Sequence, residues 1–243
     1  MSRQTAIVNP RKGKRSPDIG PVAVMVSSRL DMELLIRQMD IAKNDFHQLS
    51  MSRLYKGPDG ISITGPFIGA PYATMLLEDL IAWGAEKILF LGWAGTLTTD
   101  VGIGDLIVPG GALIDEGTSR HYAPEVGVGR AAAPGGITGR IRECLDGRKM
   151  EFHGGDVWTT DAIYRETPEK VARFRERNAV AVEMELSALF TVSAYRCVTM
   201  GALLAVSDDL STLTWRPGFG SKRFKQARKD AVDLICQLCR MLA

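Results

Sequence analysis

Acidic side chains follow two apolar runs of the chain, at points where a strand would leave the core. Glu183 and Glu185 come after AVAV, and Asp208 comes after LLAVS. Open α/β sheets bind ligands beyond the carboxyl ends of their strands, so carboxylates at these positions are candidates for a binding or catalytic site. Each also has a structural explanation, because glutamates are favoured at the start of a helix and aspartates in turns.

Strands that alternate with helices would position these carboxylates. Apolar runs predict strands at residues 22–26, 61–64, 87–91, 106–108, 112–114 and 180–182. Apolar residues at helical spacing predict helices at residues 31–39, 71–83, 171–177, 186–195 and 221–242. Residues 122–139 are rich in Gly, Ala and Pro, and we expect a surface loop there. The alternation indicates an α/β fold in which helices flank a sheet.

The composition fits one large domain and argues against several classes of function. The chain has 243 residues, 45% of them hydrophobic, and a net charge of +2, which is too balanced for a nucleic-acid-binding surface. No run of about 18 apolar residues occurs, and the polar N-terminus lacks the apolar segment of a signal peptide. We therefore expect a cytoplasmic protein that binds neither nucleic acid nor membrane, with a flexible segment at residues 1–20.

The cysteines and histidines do not predict a metal site. Cys236 and Cys239 form a CxxC, but inside an apolar helical pattern without a second pair or a neighbouring histidine. The three histidines lack the spacing of a metal site or a catalytic triad. We expect reduced, structural cysteines and no bound metal.

Four segments taken together resemble the nucleoside phosphorylase family, which includes purine nucleoside and uridine phosphorylases and methylthioadenosine nucleosidases. They are GAPYATMLLEDLIAWGAEKILFLGWAGTL, VGIGDLIVPGGALIDEGTSRHYAP, AVEME and VSDD, and they occur in the family's order. The resemblance implies a single α/β domain over residues 21–243, with a central mixed, twisted sheet flanked by helices. It also implies cleavage of the N-glycosidic bond of a nucleoside, without a metal or an organic cofactor.

The resemblance assigns parts of a nucleoside to particular residues. Glu185 would accept hydrogen bonds from ribose hydroxyls, Met184 would pack under the sugar, and Glu183 would lie at the base or at the edge of the site. Phe67 would touch the sugar. The other substrate-binding candidates are Trp158 and Tyr164 at the base, and Trp93, Ala94 and Gly95 of the segment GWAG.

Asp208 matches the family position whose carboxyl group bonds the N7 region of a purine and gives a proton to the departing base. General acid catalysis of this kind contributes about 10²–10⁴-fold. Uridine phosphorylases, as the family pattern implies, lack this aspartate and read uracil with a Gln and Arg pair after the aromatic segment. The corresponding VWTTDAIYRETPEK contains no Gln. Asp208 therefore favours a purine, although DEGTSRHY resembles the uridine enzymes more closely.

The sequence departs from the family where phosphate would bind. Family phosphorylases resemble one another in a GDPxR turn after the first strand and in an Arg just before GxxG, whereas this chain has VSSRLD and Phe90 there. Hydroxyls and a guanidinium at a strand-to-helix turn can hold a phosphate. Ser27, Ser28 and Arg29 are therefore candidate replacements for the phosphate anchors.

Lys222 and Arg223 are a second candidate set for phosphate, and Arg223 is grouped with Asp208 as a candidate catalytic residue. Cations in the first turn of a helix oppose its dipole, so their position there is unfavourable unless an anion lies nearby. A solvated basic face is the alternative explanation.

These residues favour phosphorolysis of a nucleoside, with a purine base, to free base and ribose 1-phosphate, with inorganic phosphate as co-substrate. Phe90 favours hydrolysis instead, but family nucleosidases resemble one another in a glutamate-rich turn, where the nearest acids here are Asp31 and Glu33. A nucleoside-binding protein without turnover is the third alternative. The family's assemblies imply a homo-oligomer, a dimer or a hexamer, in which His47 would reach a neighbouring subunit's pocket.

Overall fold

The computed structural model describes residues 6–125 and 129–243. The strands are β1 Val22–Val26, β2 Phe46–Leu49, β3 Ser52–Lys56, β4 Ser62–Gly65, β5 Lys87–Thr96, β6 Leu106–Asp115, β7 Arg130–Ala132, β8 His153–Thr160, β9 Ala179–Glu183, β10 Thr199–Asp209 and β11 Arg216–Pro217. The helices are α1 Arg29–Gln38, α2 Ala70–Trp83, α3 Ser119–Tyr122, α4 Ile137–Gly147, α5 Pro168–Glu176, α6 Leu186–Arg196 and α7 Lys222–Leu242. None of the helices in these two ranges is both long enough and apolar enough to cross a membrane.

The strands form one mixed sheet that partly closes on itself. β1 pairs in parallel with β4 and β5, and β5 pairs in parallel with β10. β10 also pairs with β6 in the antiparallel sense, and β6 continues through β8 and β9 back to β5. β5, β9, β8, β6 and β10 therefore form a closed ring, and closure removes the unpaired edges that strands otherwise expose.

Helices cover both faces of the sheet and bury two apolar clusters. One cluster contains the apolar faces of α1, α4 and α7, and the other contains those of α2 and α6. Successive side chains of a strand point to opposite faces. β1 accordingly gives Val22, Val24 and Val26 to the first cluster and Ala23 and Met25 to the second. This confirms the α/β fold with a mixed sheet flanked by helices.

Some predicted elements differ from the observed ones: two predicted strands are one strand, and a predicted loop contains a strand and the start of a helix. The predicted strands at residues 106–108 and 112–114 are one strand, β6, with a register shift between Pro109 and Gly111. The predicted loop at residues 122–139 is wrong in part, because it contains β7 and the start of α4. Its residues 126–128 lie outside the described ranges.

The segment before β1 contacts the domain at several points. The indole N–H of Trp83 donates to the carbonyl oxygen of Arg11 at 3.3 Å, and the N–H of Gly20 donates to the carbonyl oxygen of Gly60 at 2.9 Å. The flexibility expected of residues 1–20 stays a prediction.

We predict that Leu77→Ala lowers the free energy of unfolding by about 2–5 kcal/mol, because Leu77 of α2 is fully buried and its removal leaves a cavity. Met75→Ala on the same helix should change it by less than about 0.5 kcal/mol, because Met75 is 59% exposed. Urea unfolding of both variants checks the placement of α2. Equal effects would mean that the buried face is assigned incorrectly.

Candidate active site

Strand register brings several of the predicted site residues into one row. Asp208 of β10 lies opposite Gly95 of β5, Gly95 lies opposite Val182 of β9, and Val182 lies opposite Trp158 of β8. Glu183, the next residue of β9, lies opposite Thr159. The acidic residues predicted from two separate sequence segments therefore meet at one end of neighbouring strands.

Asp208 depends on the absence of a side chain at Gly95. A methyl group on Gly95 would lie 2.9 Å from Asp208 Oδ2 and 2.6 Å from Leu210 Cδ1, so glycine permits the close approach of the carboxyl group. Asp208 accepts hydrogen bonds from Ser207 Oγ at 2.6 Å and from the indole N–H of Trp215 at 2.9 Å. The carboxyl group is only partly buried, so a ligand can reach it.

A second carboxyl group lies near Asp208. Glu166 follows the short 3-10 turn Ile163–Arg165. Burial, and then the negative charge of Asp208, raise the pKa of Glu166 to about 7. Glu166 was not predicted as a site residue, because a single glutamate in a polar loop carries no signal of its neighbours. Its raised pKa means that a proton is available beside Asp208 near neutral pH.

Glu183 holds the start of α6. Its carboxylate accepts hydrogen bonds from the N–H groups of Glu185 and Leu186 at 2.8 and 2.7 Å and from the hydroxyl of Thr159. These N–H groups belong to the helix terminus, where they have no partner within the helix. The structural explanation considered for the glutamates therefore applies to Glu183, and all of its contacts are with the protein itself.

Glu185 faces the loop before α2. It accepts a hydrogen bond from the N–H of Gly69 at 2.6 Å, two residues after Phe67. Phe67 is buried, with its ring centroid 5.9 Å from that of Phe90. Met184, between the two glutamates, is half-buried. The roles of Glu185, Met184 and Phe67 toward a sugar stay predictions.

Burial raises the pKa of both Glu183 and Glu185. Desolvation, followed by the charge of Glu185, raises the pKa of Glu183 to about 8, and desolvation raises that of Glu185 to about 7. Hydrogen bonds from backbone N–H groups to both carboxylates oppose the increase. The pair therefore tends to hold one proton at neutral pH, because two adjacent buried carboxylates are costly to ionise together.

Trp158 lies in the core, which corrects its predicted role as a platform for the base. Its side chain is fully buried and stacks on Phe174 with 4.5 Å between ring centroids. Its indole N–H donates to Asp115 at 3.0 Å, and Lys170 lies 5.8 Å from the ring centroid. No face of the indole is accessible to a ligand. Tyr164, the second predicted aromatic, is 96% exposed and does not line an enclosed site.

Three other aromatic rings form a wall near Asp208. Trp93 and Trp215 each lie within 6.5 Å of Phe219, measured between ring centroids. Trp215 and Phe219 are 59% and 44% exposed, and Trp215 donates to Asp208. Trp215 and Phe219 of WRPGFG were not predicted as site residues, although aromatic side chains shortly after VSDD were a usable signal. The aromatic wall, defined as Trp93, Trp215 and Phe219, offers the accessible ring surface that Trp158 lacks.

The predicted phosphate anchors in the turn after β1 make contacts within the protein, and their role toward phosphate stays a prediction. Arg29 lies on the outer side of α1, 73% exposed, where it pairs with Glu33 at 3.1 Å. Ser28 caps α1 by accepting from Leu30 N–H at 3.2 Å, and the carbonyl oxygen of Ser27 accepts from Phe67 N–H at 3.3 Å. The turn after β1 is therefore used by the protein's own contacts.

Arg223 is paired with a carboxylate of the protein, and its assignment as a catalytic partner of Asp208 stays a prediction. It forms an ion pair with Asp105 and packs against Gly104, where a methyl group would lie 2.5 Å from Arg223 Cγ. Asp105 also contacts His153 at 3.1 Å. Lys222 is exposed at the start of α7. In the first turn of α7, the charge of Arg223 is thus balanced by the Asp105 carboxylate, and the charge of Lys222 is solvated.

A buried ion pair occupies the space behind GWAG. Asp31 of α1 pairs with Arg228 of α7 at 2.6 Å, and the indole N–H of Trp93 donates to the same carboxylate. Arg228 also lies 5.1 Å from the ring centroid of Trp93. Desolvation raises the pKa of Asp31, and the charge of Arg228 opposes that increase. Helical spacing alone did not distinguish this buried acid from the half-buried Glu33.

The remaining candidates are placed as follows. Ala94 is buried in β5, and His47 of β2 packs edge-on against Trp83, with 6.3 Å between ring centroids. A contact of His47 with a neighbouring subunit stays a prediction. Among the described residues, no group of three or more His, Cys, Asp or Glu side chains is arranged to hold a metal ion. The cysteines of that part of the chain are all free.

Comparison with known proteins agrees with the geometry. The family model described as the phosphorylase superfamily matches residues 21–242. A guanosine phosphorylase of Halorubrum lacusprofundi is 29% identical over 195 residues, covering 79% of this chain and 78% of the relative. A purine nucleoside phosphorylase of the DeoD type from Bacillus cytotoxicus is 27% identical over 184 residues, covering 74% and 76%.

Two solved structures share the fold. The purine nucleoside phosphorylase of Toxoplasma gondii in complex with immucillin-H has a TM-score of 0.83 and 20% identity, covering 99% of this chain and 98% of that one. The AMP nucleosidase of Bacteroides thetaiotaomicron has a TM-score of 0.71 and 20% identity, covering 90% of each chain. Phosphorylases and a nucleosidase are thus both built on this architecture.

We predict that Glu185→Gln stabilises the protein above about pH 8. The folded pKa of Glu185 is raised from 4.5 to about 7, so the stabilising contribution of the protonated form is complete below about pH 4.5 and is lost as the pH rises through the folded value. A glutamine side chain never ionises, and its oxygen can still accept from Gly69 N–H.

Urea unfolding at pH 5, 7 and 9 measures this effect. The variant should gain stability relative to the parent protein as the pH rises, whereas Glu151→Gln, at an exposed position, should show no such trend. If the stability of the parent protein and of Glu185→Gln changed with pH in parallel, a buried Glu185 carboxyl group with a raised pKa would be excluded.

Proposed function

Because the chain belongs to the phosphorylase superfamily, we propose that it cleaves the N-glycosidic bond of a purine nucleoside and that water, rather than phosphate, accepts the sugar. Asp208 carries the first half of the proposal. Its carboxyl group lies at the end of β10, accessible to a ligand and held against Gly95. The second half, water as the acceptor of the sugar, is argued from the Asp31–Arg228 pair.

Asp208 is the proposed general acid toward the base. Its carboxyl group accepts hydrogen bonds from Ser207 Oγ and Trp215 Nε1. A purine would take the place of the Trp215 indole N–H. Glu166, whose pKa is raised to about 7, is a nearby source of the proton that Asp208 would donate. The aromatic wall supplies ring surface for the base.

Glu185 is the proposed acceptor for the sugar hydroxyls. A carboxylate offers two oxygens to vicinal hydroxyls, and within the described part of the chain Glu185 is bonded by Gly69 N–H and by the backbone of Met184 alone. Glu183 supports this role indirectly, because it fixes the turn that carries Glu185. Met184 and Phe67 flank the proposed sugar position.

Water is favoured as acceptor because a carboxylate occupies the phosphate side of the site. If the family pattern GDPxR is laid over Ser27–Asp31, its closing arginine falls on Asp31. Phe90 replaces the second arginine. Asp31 is paired with Arg228, so the net charge that remains near Trp93 is close to zero. A phosphate dianion placed there would lack the cations that stabilise it elsewhere.

Phosphorolysis is the second candidate, and two observations favour it. The relatives at 29% and 27% identity are phosphorylases. Arg228 is a largely buried cation at the acceptor side, and it would hold a phosphate if it exchanged Asp31 for that ligand. Inorganic phosphate would then be the co-substrate, and the product would be ribose 1-phosphate. The proposals for a cytoplasmic homo-oligomer, a dimer or a hexamer, apply to either candidate.

We predict that purified protein releases base from a purine nucleoside at the same rate with and without inorganic phosphate, and that free ribose is the product. A panel of purine and pyrimidine nucleosides in phosphate-free buffer, analysed for base and sugar product, checks this. Ribose 1-phosphate with a rate that depends on phosphate would establish phosphorolysis instead. Binding without release of base would indicate a nucleoside-binding protein.

We predict that Asp208→Asn lowers turnover by about 10²–10⁴-fold with a much smaller effect on nucleoside binding, because it removes a proton donor used as the bond breaks. Asp209→Asn is the matched control. Asp209 is the adjacent carboxylate, but it pairs with Arg216 at 2.5 Å and accepts from Ser211 N–H at 2.6 Å. Near-normal turnover of Asp208→Asn would exclude Asp208 as the general acid.

A further inference from the structure

Four glycines lie close together on two neighbouring strands, apart from the candidate active site. Gly110 and Gly111 lie in the middle of β6, and Gly154 and Gly155 lie near the start of β8. The parallel pairing of these strands shifts register between Pro109 and Gly111, so Gly110 stands outside the regular ladder. A bulge of this kind commonly marks a place where the backbone is approached closely.

Two guanidinium groups from different elements cover this surface. Arg130 of β7 lies on Gly111, where a methyl group would be 2.5 Å from its Cζ. Arg142 of α4 reaches the same area from the other side. A methyl group on Gly110 would lie 3.8 Å from Arg142 Nη2 and 3.9 Å from Arg130 Nη2. Both positive groups therefore approach one point above the bulge.

Only one of the two charges is balanced. Arg130 forms a bidentate pair with Asp156, at 2.5 and 2.8 Å. Within residues 6–125 and 129–243, Arg142 has neither a hydrogen-bond acceptor nor a carboxylate partner, and its Nε is buried without a partner. Arginine stays protonated in proteins, and buried donors are nearly always bonded. An unpaired guanidinium beside a second one is unfavourable unless an anion binds there.

We propose that Arg142, together with Arg130 and the bulge at Gly110, binds the phosphoryl group of a small ligand. The planar forks of two guanidinium groups match the oxygens of a tetrahedral oxyanion, and each charge-assisted bond is stronger than a neutral one. The absence of side chains at Gly110 and Gly154 leaves room for the oxyanion next to the backbone. The ligand is either free phosphate or a phosphate monoester.

This site is independent of the proposed reaction. Gly110 precedes Asp115 by five positions along β6, which corresponds to roughly 17 Å of extended strand. Asp115 in turn bonds Trp158 and Lys170 beside the row of site residues. Failure of the phosphoryl site would leave the candidate active site unaffected, and failure of the proposed activity would leave the phosphoryl site intact.

The test is thermal unfolding of the full chain at constant pH and ionic strength, with chloride replaced stepwise by inorganic phosphate or by glycerol 2-phosphate. Glycerol 2-phosphate is a monoester without a base or a ribose. A ligand that binds only the folded state raises the midpoint saturably. Arg142→Gln should weaken the response at least tenfold. Arg140→Gln, at an exposed position of the same helix, should retain it.

Arg142→Lys provides a second variant if Arg142→Gln folds poorly. It keeps the charge but loses the fork, so its affinity should fall between those of the parent and Arg142→Gln. A response to inorganic phosphate alone identifies the free ion as ligand, and a response to both compounds identifies a phosphoryl group on a larger molecule.

Two results would overturn the proposal. One is the absence of a saturable response to both compounds, and the other is an equal response in the parent and both Arg142 variants. If the parent shows no such response but forms an oligomer that Arg142→Gln disrupts, a carboxylate from a second copy of the chain is the ligand of Arg142, and the phosphoryl assignment is wrong.

Discussion

The carboxylate of Glu183 is the interaction on which the candidate site depends. It links three elements, because its donors are the hydroxyl of Thr159 in β8 and the two N–H groups at the start of α6. The hydroxyl oxygen of Thr159 also accepts from Ser187 N–H at 2.9 Å. A buried carboxylate with three donors is satisfied without a cation. The turn that presents Glu185 is thereby fixed before any ligand binds.

This arrangement has an electrostatic cost, because it buries two carboxyl groups next to each other. Glu185 is buried next to Glu183, and no cation of residues 6–125 and 129–243 pairs with either. A nearby lysine or arginine would stabilise the fold but would also occupy the oxygens proposed to bind the sugar. Leaving Glu185 with only backbone donors keeps acceptor capacity free at the expense of stability near neutral pH. Functional sites commonly retain such a compromise.

The sequence predicted the parts of the fold and site that depend on local pattern. Strand ends followed by acids located Glu183, Glu185 and Asp208 correctly on β9, at the start of α6 and on β10. The long amphipathic α7 was also predictable, because its apolar spacing continues for 21 residues. β7 was missed because glycine, alanine and proline give its short segment no clear period, whereas α4 was missed although Ile137, Ile141, Cys144 and Leu145 recur at helical spacing.

Contacts between distant elements were not predictable in the same way. Asp31 and Glu33 lie two residues apart on α1, yet one is buried against Arg228, 197 positions away, and the other is on the surface with Arg29. The sequence likewise does not show which of Trp158 and Trp215 is buried. The strand register buries Trp158, and the hairpin of β10 and β11 exposes Trp215. Strand register and helix packing decide which of these side chains are buried, and neither can be read from a single sequence.

The Asp31–Arg228 pair shows how a shared fold can change its chemistry at one side while keeping the other. On the base side, a carboxyl group at the end of β10 needs only glycine opposite it. On the acceptor side, two charges that cancel each other are buried between α1, α7 and Trp93. A buried pair contributes little net stability, but removing one partner strands the other charge. Under the proposed function, an anion enters only if it replaces Asp31 as the partner of Arg228, whereas water enters without breaking the pair. The proposal of water as acceptor therefore rests on the charge balance of this one contact.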